Sequence, residues 1–133
     1  MCSMKPELAE EWFERGKRDI DVATMLLEKD DEYLDIALFH IHQAVEKYLK
    51  GFLILNGWEL KKIHDLETLI TETKNHGLNY KEYLDLGRTL TAFYYTGRYP
   101  PGPVEEYNIK EAKALFKNAK KIINDIKKAG FRK

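Results

Sequence analysis

Between Tyr33 and Leu55 the sequence places Ile36, Phe39, Ile41, Ala44, Tyr48, Leu49, Phe52 and Leu55 around most of a helical circumference. Its polar residues fall mainly in the stripe His42, Glu46 and Lys50. A helix apolar on so many sides must be covered on more than one face, so it occupies either the centre of a bundle or a subunit interface. Asn56-Gly57 offers a left-handed residue that closes its last turn.

The remaining segments also carry helical periodicity, with no β-branched alternation and no internal repeat, which predicts an all-α fold. A chain of 133 residues is the size of one domain with one core, so residues 1–133 are expected to form a single helical domain. A first helix runs from about Pro6 to Glu28, with Leu8, Trp12, Ala23 and Leu26 or Leu27 on one face, and ends at KDDEYLD. A third, shorter helix starts near His64-Asp65 with one of these as cap, packs Leu66, Leu69 and Ile70 inward, and stops at Asn75-His76-Gly77. The fourth spans about Tyr80 to Thr96 and is broken by GRYPPGP. The fifth, from about Ile109 to Ala129, sets Leu115, Phe116, Ala119, Ile122, Ile123 and Ile126 in one stripe and Lys110, Lys113, Lys117, Lys120, Lys121 and Lys128 in another.

Composition narrows the function classes. Apolar residues make up 44% and charged residues 33%, a balance typical of a folded soluble chain, and no apolar run approaches the roughly 20 residues that span a bilayer. The N-terminus turns acidic at once without the basic-then-apolar order of a secretory signal, so a cytoplasmic location is expected. Cys2 is alone, which excludes an internal disulfide and a cysteine metal cage. Net charge is zero, yet residues 5–35 carry 5 Lys/Arg against 11 Asp/Glu, and 109–133 carry 9 against 2. The expectation is that the two terminal segments lie side by side; the alternative is a basic face left free for a polyanion.

Histidine chemistry is constrained by the same helical geometry. His40 and His42, two residues apart, point about 200° from each other and cannot grip one ion together. His42 and Glu46 are correctly spaced for a shared ion but lack further ligands. The simpler reading is a solvated stripe His42, Glu46, Lys50 with i,i+4 pairing, and a partly buried, hydrogen-bonded His40. A lone His64-Asp65 pair is a weak metal signal, and helix capping accounts for Asp65. No phosphate-binding glycine loop, nucleophile elbow or zinc-protease motif is present. In FYYTGRYPPGP, residues 93–103, Arg98 with Tyr94, Tyr95 and Tyr99 could grip a phosphate in a guanidinium fork and stack bases. The favoured reading is that the tyrosines seal the end of the bundle and Arg98 pairs with a carboxylate or the last helical carbonyls.

Three blocks, Ala-Leu-Phe-x-x-x-Gln-Ala-x-Glu-Lys-x-x-Lys-Gly from Ala37 to Gly51, Ile63-His64-Asp65-Leu66-x-x-Leu69, and Arg98-Tyr99-Pro100, together resemble the HEPN family of small helical-bundle domains. The resemblance covers roughly residues 8 to 126, and its signature residues are Gln43, Glu46, Lys47, Lys50, His64, Asp65 and Arg98. It implies an antiparallel up-and-down four- or five-helix bundle, a homodimer, and action beside a minimal nucleotidyltransferase as a toxin–antitoxin pair. Many relatives are metal-independent ribonucleases with an Arg, four to six residues, then His, where Arg holds the phosphate and His moves the proton. None of Arg15, Arg18, Arg88, Arg98 and Arg132 is followed by a His at that spacing.

Catalytic residues are therefore left unassigned. The chain is expected to be a dimeric binding protein for a nucleotide, an RNA or a nucleotidyltransferase partner, without a cofactor or metal and not a catalyst on its own. Arg98, Tyr99, Tyr95, Lys47 and His64 are the binding candidates. One alternative is a divergent ribonuclease using Arg98 with Tyr95, Tyr99 or His64. Another is a structural module whose lysine helix, including Lys113 and Lys117, binds a polyanion.

Overall fold

The computed structural model describes residues 4–30, 32–96 and 107–130. Among these, five helices form an antiparallel bundle with no strand: α1 (Met4–Leu27), α2 (Leu34–Leu55), α3 (Leu66–Glu72), α4 (Leu84–Thr96) and α5 (Ile109–Gly130). Asn56 and a left-handed Gly57 (φ 95°) end α2 as expected. Asp65 caps α3, its carboxylate accepting from the Glu67 N–H at 3.3 Å and from the Thr68 hydroxyl at 2.7 Å.

Two helices are shorter than their sequence patterns suggest. The third is α-helical for seven residues and then tightens into a 3₁₀ turn over Thr73–Asn75, where the buried Thr73 hydroxyl bonds back to the Ile70 carbonyl at 2.6 Å. The fourth is preceded by a 3₁₀ turn, Tyr80–Tyr83. Tyr83 fastens that turn to α5 through Asp125, and burial together with this carboxylate pushes its phenol well above the ordinary range.

The over-apolar segment sits at the centre, since α2 packs against α1, α3, α4 and α5. Most of its apolar circumference is thus covered within one subunit: Ile41, Ala44 and Leu49 are fully buried, whereas Ile36 near its start is 46% exposed. Ile41 and Leu49 are therefore not free to meet a partner copy. The apolar stripe of α5 is buried from Leu115 to Ile126, and its lysine stripe faces solvent. The two terminal helices both flank α2, but among the described residues no α1 carboxylate pairs with an α5 lysine. Among the described residues the two terminal segments do not neutralise each other.

The core face of α1 differs in part from expectation. Ala23 and Leu27 point inward as expected, but Leu8 is exposed and Trp12 only half-buried, and Ala9, Phe13 and Gly16 fill the rest of the inward face. Two glycines explain the shift. A Cβ on Gly16 would stand 2.7 Å from the Tyr48 ring, and one on Gly51 would stand 2.6 Å from the Phe13 ring. Each helix therefore receives an aromatic ring of the other where it has no side chain, and the two rings stack at 5.4 Å. This close approach turns Leu8 and Trp12 aside, toward the α2–α3 connection.

Gly51→Ala tests the packing. Helix propensity alone favours alanine by about 1 kcal/mol, but overpacking against Phe13 costs about 1–3 kcal/mol. The expected result is a lower urea midpoint at unchanged m-value; a raised midpoint would show that Phe13 moves aside freely.

Candidate functional site

The stripe expected to be solvated is buried: His42 is 0% exposed, and Glu46 and Lys50 are each 4% exposed. The i,i+4 spacing reads the same on a wet or a dry face. What buries this one is the α2–α3 connection crossing over it, together with Trp12 from α1. Lys50 Nζ donates to Glu46 Oε2 at 2.7 Å and lies 5.7 Å from the Trp12 ring centroid. Glu46 also takes the ring of His64, whose Nδ1 stands 3.0 Å and 3.2 Å from the two carboxylate oxygens. A carboxylate held by an ammonium can only accept, so Nδ1 of His64 carries the proton.

His42 completes the cluster from beneath. Its Nε2–H donates to the His64 carbonyl at 2.9 Å, and Tyr94 of α4 stacks on its ring at 4.3 Å. Burial pushes the His42 imidazole below its ordinary value, with Glu46 and the bond to His64 opposing in part. His40 and His42 point apart as the spacing requires, His40 Nδ1–H donating to Asp19 of α1 at 2.8 Å. Among the described residues no three His, Cys, Asp or Glu side chains converge as metal ligands.

Above this cluster lies a cleft of about 540 Å³ between α1, α2 and the α2–α3 connection. Its apolar walls are Leu8, Trp12 and Leu60. Five cationic side chains line it, Arg15, Lys47, Lys50, Lys61 and Lys62, against two carboxylates, Glu11 and Glu46, with Gln43 and His64 between them. Lys50 is spent on Glu46, and Lys47 donates to Asp19 at 2.7 Å while still forming part of the wall. Arg15 stands 3.9 Å from Glu11, whereas Lys61 and Lys62 have no ion pair among the described residues. Volume, apolar walls and excess positive charge together suit a small anionic ligand with an apolar body.

Of the sequence candidates, Gln43, Glu46, Lys47, Lys50 and His64 are brought together here. Asp65 is not a wall residue; it caps α3. Tyr95 is exposed, edge-on to Tyr94, and also stands outside the cleft. Arg98 and Tyr99 lie outside the described residues. Sequence reasoning missed Trp12, which it assigned to the core face, as well as Arg15 and Lys61-Lys62. The only signal for the lysines is their place directly before Ile63-His64.

The family model of the HEPN domain matches residues 9–129, and the chain belongs to the HEPN family. It is 30% identical over 130 residues to a Methanocaldococcus jannaschii protein named "Putative toxin MJ1304", covering 87% of this chain and 84% of that one. Its fold is similar to the crystal structure of ST0689, an archaeal HEPN homologue, with a TM-score of 0.73 and 26% identity over 92% of this chain and 97% of the other. It also resembles the crystal structure of TT1696 from Thermus thermophilus, at a TM-score of 0.75 and 23% identity, covering 91% and 97% respectively. No helix among the described residues is long and apolar enough to cross a membrane.

Two outcomes test the buried cluster. Lys50→Met leaves Glu46 without its ammonium and should cost about 3–5 kcal/mol, much of which Glu46→Leu in the same chain should restore. His42 is held neutral, with a folded-state value below the unfolded value of 6.5. The unfolded state therefore binds more protons as the pH drops, and the contribution of His42 is complete above about pH 6.5 and lost as pH falls through the depressed folded value. Thermal melts between pH 7.5 and 5 should fall less steeply for His42→Gln than for the wild type.

Proposed function

We propose that this HEPN protein is one half of a toxin–antitoxin pair and acts as a homodimeric binding protein, whose cleft takes a nucleotide free or presented by a minimal nucleotidyltransferase partner. The observation that carries the reading is the cleft itself: the signature residues Gln43, Glu46, Lys47, Lys50 and His64 line one cavity with a surplus of cations and a tryptophan wall. The similarity to a relative named as a toxin supports the pairing with a partner protein. Arg98, carried by the family resemblance, would add an anion contact. No catalytic role is assigned to the chain alone, because no Arg is followed by His at the family spacing.

A metal-independent ribonuclease is the second reading, favoured by one observation. The His64 side chain is 43% exposed in the cleft and has its other nitrogen oriented by a buried carboxylate, an arrangement suited to moving a proton.

Titration of the purified chain with adenine nucleotides, followed by tryptophan fluorescence, checks the binding reading. Binding should weaken about tenfold or more in a Lys61→Glu, Lys62→Glu double variant and with added salt. RNA incubated with the chain in chelator should stay intact; cleavage that Arg98→Ala or His64→Asn abolishes would establish the ribonuclease instead. Sedimentation of the wild type should give the mass of a dimer.

A further inference from the structure

The nucleotide reading leaves open which part of the ligand the signature histidine meets. Glu46 fixes the Nδ1–H of His64, so its Nε2 is the atom left to change protonation. That nitrogen has no hydrogen-bond partner among the described residues, on a side chain that is 43% exposed and lines the cleft. The surroundings decide what it would do there. Glu46 is shared with Lys50, which cancels its charge, and the buried His42 beneath is held neutral. From the α2–α3 connection Lys61 and Lys62 add two unpaired cations, from α1 Arg15 is set against Glu11, and from α4 the Tyr94 ring lies 5.3 Å away. Lys47, also of α2, is answered by Asp19. Protonating Nε2 therefore adds a donor and a positive charge to a wall already short of anions.

The geometry points to a proton-linked phosphate site: His64, oriented by Glu46, donates from Nε2 in its charged form to the terminal phosphate monoester of a nucleotide, flanked by Lys61 and Lys62. This rests on the nucleotide reading and deepens it by naming the ligand group. A dianionic monoester fits better than a diester backbone. The cations surround one cleft of about 540 Å³, a volume within the range of single small-molecule sites, rather than a groove along the bundle. A charge-assisted bond to a dianion is also stronger than one to a singly charged or neutral group. Because both ring nitrogens of His64 carry a proton in this arrangement, binding the phosphate takes up a proton and weakens as the pH rises. Glu46 acts here as a positioning residue through His64.

The test is calorimetric titration of the wild-type chain and of His64→Asn with adenosine 5′-monophosphate, adenosine and the diester dinucleotide ApA, between pH 6.5 and 8.5. The monophosphate stays largely dianionic over that range, its second pKa being about 6, so a pH trend that His64→Asn removes belongs to His64. The monophosphate should bind about tenfold or more tightly than adenosine or ApA, and its affinity for the wild type should fall as the pH rises. His64→Asn should bind weakly with a flat profile. Circular dichroism checks its fold, and His64→Gln serves if the first variant is unfolded. The same pH profile in wild type and variant, or adenosine binding as tightly as the monophosphate, overturns the inference and leaves a nucleoside-binding cleft standing. No binding of either ligand by the wild type overturns both.

Discussion

The buried carboxylate of Glu46 organises the middle of this bundle. Glu46 is taken out of water and is tolerable there only because an ammonium one turn along its own helix and an imidazole from another segment both bond to it. The second bond has the larger structural consequence. It draws His64 over α2, and the His64 backbone then accepts the Nε2–H of His42, so the connection between α2 and α3 is pinned at side chain and main chain together. Asp65 begins α3 immediately afterwards, and the start of that helix is tied to α4 by the Leu66 N–H bonded to Thr91.

The opposite wall depends on a different constraint. The glycines at positions 16 and 51 bring α1 and α2 so close that each accommodates an aromatic ring of the other. Asp19 adds a polar tie between the helices, taking both His40 and Lys47. With α1 held in that rotation, Trp12 covers the Lys50 ammonium and Leu8 stays at the rim. The cleft is what lies between these two fixed walls. Three segments distant in sequence supply it, and packing energy rather than local preference sets its width.

Much of the fold was legible beforehand because it follows from local periodicity and breakers. The five helices, the stop at Asn56-Gly57, the cap at Asp65 and the buried stripe of α5 each depend on residues within a few turns of one another. The shortening of the third helix was less legible: its apolar pattern runs through Thr73, and only the back-bonded hydroxyl there and the left-handed Gly77 tighten it into a 3₁₀ turn. The site was half visible. Resemblance to the family singled out Gln43, Glu46, Lys47, Lys50 and His64, but helical spacing cast His42, Glu46 and Lys50 as a wet stripe.

Residue order alone specifies an all-helical chain with one segment too apolar to sit at a surface, and divergent directions for His40 and His42, because helix geometry and hydrophobic burial follow from it. Packing is what makes the polar stripe of that segment dry, sets Glu46 between Lys50 and His64, and gathers Trp12 and Lys61-Lys62 into one cleft with them. Burial of a charge depends on what crosses over it. Here that cover comes from 18 residues further along the chain, a separation that no helical period encodes.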